Sequence, residues 1–457
     1  MQSMSKCAVA ATLLAVAGVA PTLGADLAIE HVNVIPMTSG SDVVSDSTVL
    51  IRGGRIVSIT PAGATPAPNA PKINARGLWL MPALADMHVH LENDRLLRLY
   101  AKDTNVPPGT VRTADSLLPY VANGVLQILV LTAMPETIAQ RNEVETGSVL
   151  GPHIALAAMI DGSPPIWPVG MTRVAATPGD GRQAVRDVAA EGYDIVKAYE
   201  NLDLATFIAI CDEASKLKIK VVGHLPQNGK GLTERFFVPG FSMVAHAEEF
   251  AQQTDPPATD AIPKYAQWAK RSGTWLTATL TTDHRILEEI SRPETLRSRP
   301  EIRYLGAYLQ KLTLESNPYL RDLSPSRIAY VQRIVDFNDK LVAAFVKEGV
   351  PIVAGTDALV PGVVPGFSLH DELAALAKAG LSNRQVLESA TRLPAEWLGT
   401  IDDRGVVAVG KRADLLLLAA NPLQDIRNTR RIAAVIVSGR YYSRDEIKNR
   451  LEMMIRN

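Results

Sequence analysis

Hydrophobic and polar residues follow one pattern at the two chain ends and another in the middle. Residues 26–80 contain short runs rich in β-branched side chains, and the segment from Arg52 to Arg55, with two glycines at its centre, is a hairpin signal between two of them. Residues 405–443 return to short apolar runs. We therefore predict that both ends are β-structure and together form one small β-sandwich, followed by a C-terminal helix over 444–457.

From residue 81 the pattern changes to apolar runs that alternate with amphipathic stretches. The predicted strands are 83–90, 125–132, 153–160, 194–199, 219–224, 242–247, 274–280 and 350–357. Eight strand–helix units over roughly 300 residues are typical of a (β/α)8 barrel. The predicted fold class is therefore α/β, with a TIM barrel over residues 81–404 and the β-sandwich as its satellite.

The interval between the seventh and eighth predicted strands, residues 281–349, is longer than one helix needs. We interpret it as an insertion over the mouth of the barrel. Its many arginines include Arg285, Arg292, Arg297, Arg299 and Arg303. Because guanidinium groups bind carboxylates through two parallel hydrogen bonds, these arginines are candidates for holding a substrate carboxylate. The alternative is that they are solvated surface charges.

Composition and the N-terminus limit the partners and the location of the protein. The formal net charge is −1, which argues against a nucleic-acid-binding or anionic-membrane-binding surface. The uncharged apolar run from Ala8 to Ala20 follows Lys6, and small residues precede a cleavage position after Ala25. We therefore predict a signal peptide over 1–25, a periplasmic or secreted protein, and no stable membrane span after cleavage. The alternatives are an uncleaved anchor and a lipoprotein signal on Cys7, although Cys7 comes too early, before the apolar run, for a lipidated cysteine.

The segment from Asp86 to His90 contains the strongest chemical signal. His88 and His90 follow an apolar run and lie two residues apart, so in a strand both rings point to the same face. Two neutral imidazoles in that arrangement can bind one metal ion. Since an isolated pair of this kind is more often structural, the interpretation depends on further ligands elsewhere in the chain.

Further candidate ligands follow other predicted strands. Lys197, His224, His246 and Asp357 come at or near the ends of the fourth, fifth, sixth and eighth strands. A TIM barrel builds its active site at the carboxyl ends of its strands, so all these side chains are expected at one face. Four of the eight histidines in the chain fall there, which predicts a metal site.

These motifs resemble those of the metal-dependent amidohydrolase superfamily. The matching segments, in order, are D-x-H-x-H at 86–90, V-K-A-Y at 196–199, G-H-L at 223–225, A-H-A-E-E at 245–249 and G-T-D-A at 355–358. The nearest branch contains imidazolonepropionase-like enzymes and amidohydrolase-type Xaa-Pro dipeptidases. The chain departs from the pattern at Ala83, where glycine is common, and in its second predicted strand, so the resemblance leaves the substrate open.

The resemblance implies two divalent metal ions, with Zn²⁺ expected. His88, His90 and Asp357 would hold one ion, His224 and His246 the other, and a carboxylated Lys197 would bridge them. The alternative for Lys197 is a barrel lysine paired with a carboxylate. The implied reaction is amide hydrolysis by a hydroxide that bridges the two metals, with Asp357 moving the proton.

Three other side chains are candidates for contacts with the substrate. Tyr199 shares a strand face with Lys197 and can donate to a carbonyl oxygen, although packing is an equal alternative. His284 lies in the insertion and is a candidate catalytic residue. His370 follows the eighth predicted strand and is a weaker candidate.

We therefore expect a dipeptidase or an N-acyl-amino-acid hydrolase that acts on a small amide or dipeptide. A hydrolase of cyclic amides or lactams is the first alternative. A metal-bearing binding protein without turnover is the second, and the presence of Asp357 argues against it, because ligation alone does not require that acid. No nucleic-acid partner is expected, and we expect a homo-oligomer.

Overall fold

A computed structural model describes residues 26–40, 42–64, 70–101 and 106–456. The predicted signal peptide, residues 1–25, lies outside the described residues. In the described part of the chain, each helix is too short or too polar to cross a lipid bilayer.

The described chain contains seventeen strands and fifteen α-helices. The strands are β1 (Leu27–Val34), β2 (Val44–Arg52), β3 (Arg55–Pro61), β4 (Lys72–Asn74), β5 (Trp79–Pro82), β6 (Leu84–Val89), β7 (Val125–Val130), β8 (His153–Asp161), β9 (Thr172–Val174), β10 (Ile195–Ala198), β11 (Lys220–Gly223), β12 (Phe241–Ala245), β13 (Trp275–Thr277), β14 (Ile352–Val353), β15 (Leu415–Leu418), β16 (Ile432–Val437) and β17 (Arg440–Ser443). The helices are α1 (Asp94–Ala101), α2 (Thr113–Ala122), α3 (Pro135–Glu145), α4 (Pro178–Ala190), α5 (Leu204–Lys216), α6 (Glu248–Ala251), α7 (Ile262–Ser272), α8 (Leu280–Ser291), α9 (Glu294–Arg297), α10 (Ala307–Glu315), α11 (Pro325–Glu348), α12 (Phe367–Lys378), α13 (Asn383–Ser389), α14 (Arg392–Leu398) and α15 (Arg444–Met454).

Eight parallel strands form the barrel, in the order β6-β7-β8-β10-β11-β12-β13-β14. The first and last strands meet through a parallel bridge between Val89 and Ala358 and a hydrogen bond of 2.9 Å from the Met87 N–H to the Ala354 carbonyl. The predicted (β/α)8 barrel is therefore confirmed, with all eight predicted strands present. The short strand β9, which the sequence did not predict, pairs with β8.

Burial on both faces explains the apolar sequences of the barrel strands. Helices cover the outside of a parallel barrel and side chains fill its centre, so each strand is apolar along most of its length. All four residues of β10 are buried, and Lys197 is its single charged residue. A buried charge in such a strand is costly unless it has a function or a partner.

The two chain ends form one eight-stranded sheet beside the barrel. The hydrogen-bonded order is β17-β16-β15-β5-β1-β2-β3, and β4 pairs with the part of β1 that does not pair with β5. Ile29, Val49, Leu415 and Ile436, from both ends of the sequence, lie in its apolar core. The predicted satellite built from both ends is therefore confirmed.

The interval between β13 and β14 contains helices α8 to α11. The last of these begins after Ser324, whose side chain accepts a hydrogen bond from the Arg327 N–H, and ends at Glu348, just before Gly349, where φ is 68°. Helix α11 packs on α7 and α8 as an outer barrel helix. Leu309 and Tyr319, from the part before α11, reach the cavity described below, so that part does lie at the barrel mouth.

Candidate metal centre

The four predicted histidine ligands lie together at the carboxyl end of the barrel. The ring centroids of His88 and His246 are 4.3 Å apart, those of His224 and His246 are 4.9 Å apart, and those of His88 and His90 are 5.6 Å apart. These rings come from β6 and from the ends of β11 and β12. The parallel barrel brings them together because all its strands end at the same face.

Asp357 joins two of these histidines in a first group of candidate ligands. Its Oδ1 lies 2.9 Å from His90 Nε2 and 3.2 Å from His88 Nε2. One ligand atom from each of these three side chains lies within 4.8 Å of the other two. This group therefore has the composition and the spacing to hold one divalent ion.

A second group contains two carboxylates that the sequence analysis did not assign. His224 Nδ1 lies 2.8 Å from Glu249 Oε1 and 3.2 Å from Glu200 Oε1. One ligand atom from each of these three residues also lies within 4.8 Å of the others. Glu200 directly follows the V-K-A-Y motif, and Glu249 is the last residue of A-H-A-E-E. This proximity to the motifs was the feature of the sequence that could have identified both acids as candidate ligands.

Unpaired ring nitrogens indicate that metal ions fit this site. Within the described residues, His88 Nδ1 and His224 Nε2 are buried and have no hydrogen-bond partner. Leaving a buried polar atom unsatisfied costs about 1–3 kcal/mol, so such atoms usually mark a missing ligand or water. The donor set of imidazoles and carboxylates is one that divalent ions such as Zn²⁺ prefer.

The histidines differ in their electrostatic surroundings. Burial lowers the pKa of His88 to about 3, so its ring is neutral, which is the form that binds metals. Burial also acts to lower the pKa of His224, but the Glu249 and Glu200 carboxylates outweigh it and the net shift is upward. The region around His224 is therefore the more anionic part of the centre, and a bound cation would relieve the repulsion between its carboxylates.

Lys197 lies at the centre of the site and is nearly inaccessible to solvent. Its exposed fraction is 2%, and it makes no salt bridge within the described residues. Burial lowers the pKa of Lys197 to about 8, although Asp357, Glu249 and Glu200 act in the opposite direction. The alternative interpretation, a barrel lysine paired with a carboxylate, therefore has no partner in the described part of the chain.

These side chains surround a cavity of about 230 Å³. Its polar lining includes His90, Thr132, Lys197, Tyr199, Glu200, His224, His246, Glu248 and Asp357. The Tyr199 ring centroid lies 4.3 Å from that of His224, and the Tyr199 oxygen accepts a hydrogen bond of 2.8 Å from Trp167 Nε1. Tyr199 therefore faces the cavity in a fixed position, with its own hydroxyl hydrogen still available to donate.

Three residues at this face have a left-handed backbone conformation. The φ angles are 78° at His246, 59° at Asp357 and 49° at Thr279, whose hydroxyl lies 2.8 Å from His246 Nδ1. In residues other than glycine this conformation is sparsely populated and costs on the order of 1–3 kcal/mol. Such strain concentrates at functional sites, and here all three residues follow barrel strands at the face that carries the histidines.

Asp86, on the same strand as the histidines, has a structural position. Its buried carboxylate accepts hydrogen bonds from the Thr356 hydroxyl at 2.7 Å and from the Thr356 N–H at 3.0 Å. Nearby, a side chain on Gly355 would bring its Cβ to 2.9 Å from the His88 Cβ, so only glycine fits there. Both features hold the end of β14 against β6 and so position Asp357 beside His88.

His284 and His370 lie away from the cavity, which corrects their predicted contacts with substrate. His284 Nε2 lies 3.1 Å from Asp339 Oδ1, because this face of α8 packs against α11 rather than towards the barrel mouth. His370 is buried, and its Nδ1 lies 2.9 Å from the Thr429 hydroxyl. Neither residue lines the 230 Å³ cavity, so we do not retain a catalytic role for His284.

The arginines of the 281–349 interval also do not line this cavity. Arg285 and Arg299 both contact Asp371, with N–O distances of 3.3 and 3.5 Å. Arg303 lies 2.6 Å from Glu452 on the C-terminal helix. The prediction that these arginines hold a substrate carboxylate is therefore wrong for the metal centre, because none of them lines its cavity; Arg303 lines only the larger cavity described below.

Comparisons with known proteins agree with this geometry. The curated 5-methylthioadenosine/S-adenosylhomocysteine deaminase of Symbiobacterium thermophilum is 36% identical over 113 residues, which are 22% of this chain and 26% of that protein. This chain therefore matches only about a quarter of the length of that relative.

Two solved structures share the fold over nearly their whole length. A Xaa-Pro dipeptidase with methionine bound in its active site superposes with a TM-score of 0.67 and 19% identity, covering 92% of this chain and 100% of that one. A prolidase in complex with N-methylphosphonate-L-proline gives a TM-score of 0.70 and 21% identity, covering 92% and 99%. At these identities the likeness shows the fold alone.

The decisive comparison is with protein families. The sequence model of the Amidohydrolase family matches residues 79–441, which include the whole barrel and all six predicted ligands. The chain therefore belongs to the amidohydrolase family.

Proposed function

We propose that this protein hydrolyses the amide bond of a dipeptide or an N-acyl amino acid, and that it works with two divalent metal ions, most simply Zn²⁺. The observation that carries the proposal is the arrangement of four imidazoles, one buried lysine and one aspartate at a single face of the barrel, around a cavity of about 230 Å³. The shared fold with a Xaa-Pro dipeptidase and a prolidase supports the choice of substrate class.

The proposed ligands form two sets, of which only the first is identical to a group described above. His88, His90 and Asp357 would hold one ion, and His224 and His246 the other. Lys197 would lie between them as a carbamate, an anionic group with two oxygens in place of an unpaired ammonium. A buried amine of lowered basicity is the form that can react with carbon dioxide, and the absence of an ion-pair partner in the described chain supports this assignment.

The remaining chemistry belongs to the side chains of the cavity. Divalent ions held by these residues would supply a water nucleophile at neutral pH and would polarise the scissile carbonyl. Asp357, whose carboxylate lies against His88 and His90, takes the proton from the attacking water and delivers it to the leaving nitrogen. The Tyr199 hydroxyl donates to the carbonyl oxygen as negative charge develops there.

The size and the walls of the cavity favour a small substrate. Sites for drug-sized ligands have volumes of about 300–1,000 Å³. A cavity of about 230 Å³ is smaller, so it suits part of a dipeptide rather than a long peptide. The apolar part of the lining includes Leu96, Met159, Trp167 and Met171. These side chains would contact an apolar group next to the scissile bond.

A substrate panel tests the proposal. Metal-loaded protein is expected to hydrolyse at least one member of a set of dipeptides and N-acyl amino acids, to lose that activity with a chelator and to regain it when Zn²⁺ is restored. Release of free amino acid is the measured quantity. Turnover confined to lactams and other cyclic amides would instead support the first alternative, and no turnover of any amide by fully loaded protein would contradict the proposal.

A further inference from the structure

A second, larger cavity of about 500 Å³ adjoins the metal centre. His90, Leu97 and Leu359 line both cavities and form the boundary between them. The larger cavity is also lined by the segment from Arg303 to Tyr308 and by Met454 and Ile455 near the C-terminus. The two cavities are therefore adjacent, and a substrate side chain that passes His90 would enter the larger one.

One charged side chain of the larger cavity has no partner among the described residues. Among its lining residues, Arg112 lies 2.6 Å from Asp115, and Arg303 lies 2.6 Å from Glu452. Glu92 is only 7% exposed, and within the described residues its carboxylate makes neither a salt bridge nor a hydrogen bond. The charged neighbours that act on it, Asp115 and Asp94, are also carboxylates.

The Glu92 carboxylate fits against the cavity wall because residue 306 is a glycine. A Cβ on residue 306 would lie 2.5 Å from Glu92 Oε1 and 2.7 Å from Oε2, so the carboxylate is in close contact with Gly306, which lines the same cavity. A buried carboxylate without a hydrogen-bond donor is costly unless a ligand supplies the donor. The complementary ligand is a cation that carries N–H groups.

We infer that Glu92 binds the cationic side chain of the substrate, an alkylammonium or guanidinium group. The inference rests on the proposed function and names the substrate class of the same site. Glu92 does not line the 230 Å³ cavity that would hold the reacting amide. The bound cation must therefore be separated from that amide by several carbon atoms. The side chains of lysine and arginine meet this requirement, and the α-ammonium group of a dipeptide does not.

Matched substrates test this specificity. The pairs are alanyl-lysine with alanyl-norleucine, and lysyl-alanine with norleucyl-alanine, which differ only in the charged end of one side chain. For at least one pair, kcat/KM is expected to favour the lysine peptide by about tenfold or more, because the lysine ammonium can donate charged hydrogen bonds to Glu92 and norleucine offers no donor. In the Glu92→Gln protein this ratio is expected to fall close to one.

Asp115→Asn is the matched control, because it removes the same charge from the same cavity but from a side chain paired with Arg112. The lysine preference is expected to persist in this variant within about twofold of the original ratio. If wild-type protein cleaves the norleucine peptides without preferring either lysine peptide, the inference is wrong while the proposed function stands. Equal loss of the preference in both variants would show a general field effect and would also overturn the assignment to Glu92.

A binding measurement keeps the inference testable if no dipeptide is cleaved. Calorimetry with n-butylguanidinium, and with the neutral n-butylurea as its control, needs no turnover. Wild-type protein is expected to bind the cation at least about tenfold more tightly than the urea, and Glu92→Gln protein, with an unchanged melting temperature, is expected not to distinguish them. Equal affinities in wild-type protein would overturn the inference.

Discussion

Replacing Asp357 with asparagine is expected to lower kcat by a factor of about 10² or more, as for loss of a general acid–base group. The amide oxygen of asparagine can still act as a ligand beside His88 and His90, so metal content is expected to fall much less than activity. Steady-state kinetics gives kcat, and elemental analysis of the same preparation gives the metal content. Activity within a few-fold of wild type would mean that another group moves the proton.

Asp339→Asn is the matched control for this variant. It makes the same chemical change in a carboxylate that pairs with His284 at the interface of α8 and α11, outside the cavity. We expect kcat to stay within a few-fold of wild type in this variant. A loss as large as that of Asp357→Asn would show that the effect comes from disturbance of the helices or from His284, rather than from proton transfer at the centre.

Replacing Lys197 with alanine is expected to remove metal and activity together. If Lys197 carries the carbamate that lies between the two ions, the alanine substitution removes the anionic ligand that both ions share. Lys197→Arg is expected to be inactive as well, since guanidinium cannot be carboxylated and its charge would repel the metals. Formate, acetate or propionate is expected to restore part of the activity of Lys197→Ala by supplying a carboxylate in the space of the lost side chain.

Lys220→Ala provides the control, since Lys220 is also a barrel-strand lysine. Its Nζ lies 4.8 Å from the Trp397 ring centroid, and it does not line the metal cavity. We expect this variant to lose some thermal stability but to keep its metal and its kcat. A metal-replete and active Lys197→Ala protein would contradict the bridging role.

The positions of the metal-ligand candidates were predictable because they depend on local pattern and on one topological rule. His88, His224 and His246 each follow an apolar run, and the carboxyl ends of parallel barrel strands meet at one face. The same rule places Lys197 and Asp357 there. The sequence could therefore predict which residues meet, without predicting the distances between them.

The ion-pair partners of the charged side chains outside the metal centre were less predictable, because the two partners are far apart in the sequence. Arg299 and Asp371 come from separate segments, and their contact depends on how the segment before α11 folds back over the barrel. The same applies to His284 and Asp339, which meet only through the packing of α8 on α11. Glu92 follows His90 by two residues, yet nothing local indicates that its carboxylate is buried without a partner in the described part of the chain.

The central claim is that one face of the barrel holds two metal ions, and their number can be measured directly. Protein purified without chelator is expected to contain close to two equivalents of divalent metal, with Zn²⁺ predominant, by inductively coupled plasma mass spectrometry. When metal-free protein is titrated with Zn²⁺, activity is expected to reach its maximum only after the second equivalent. Full activity at one equivalent, with no gain from a second, would contradict the account.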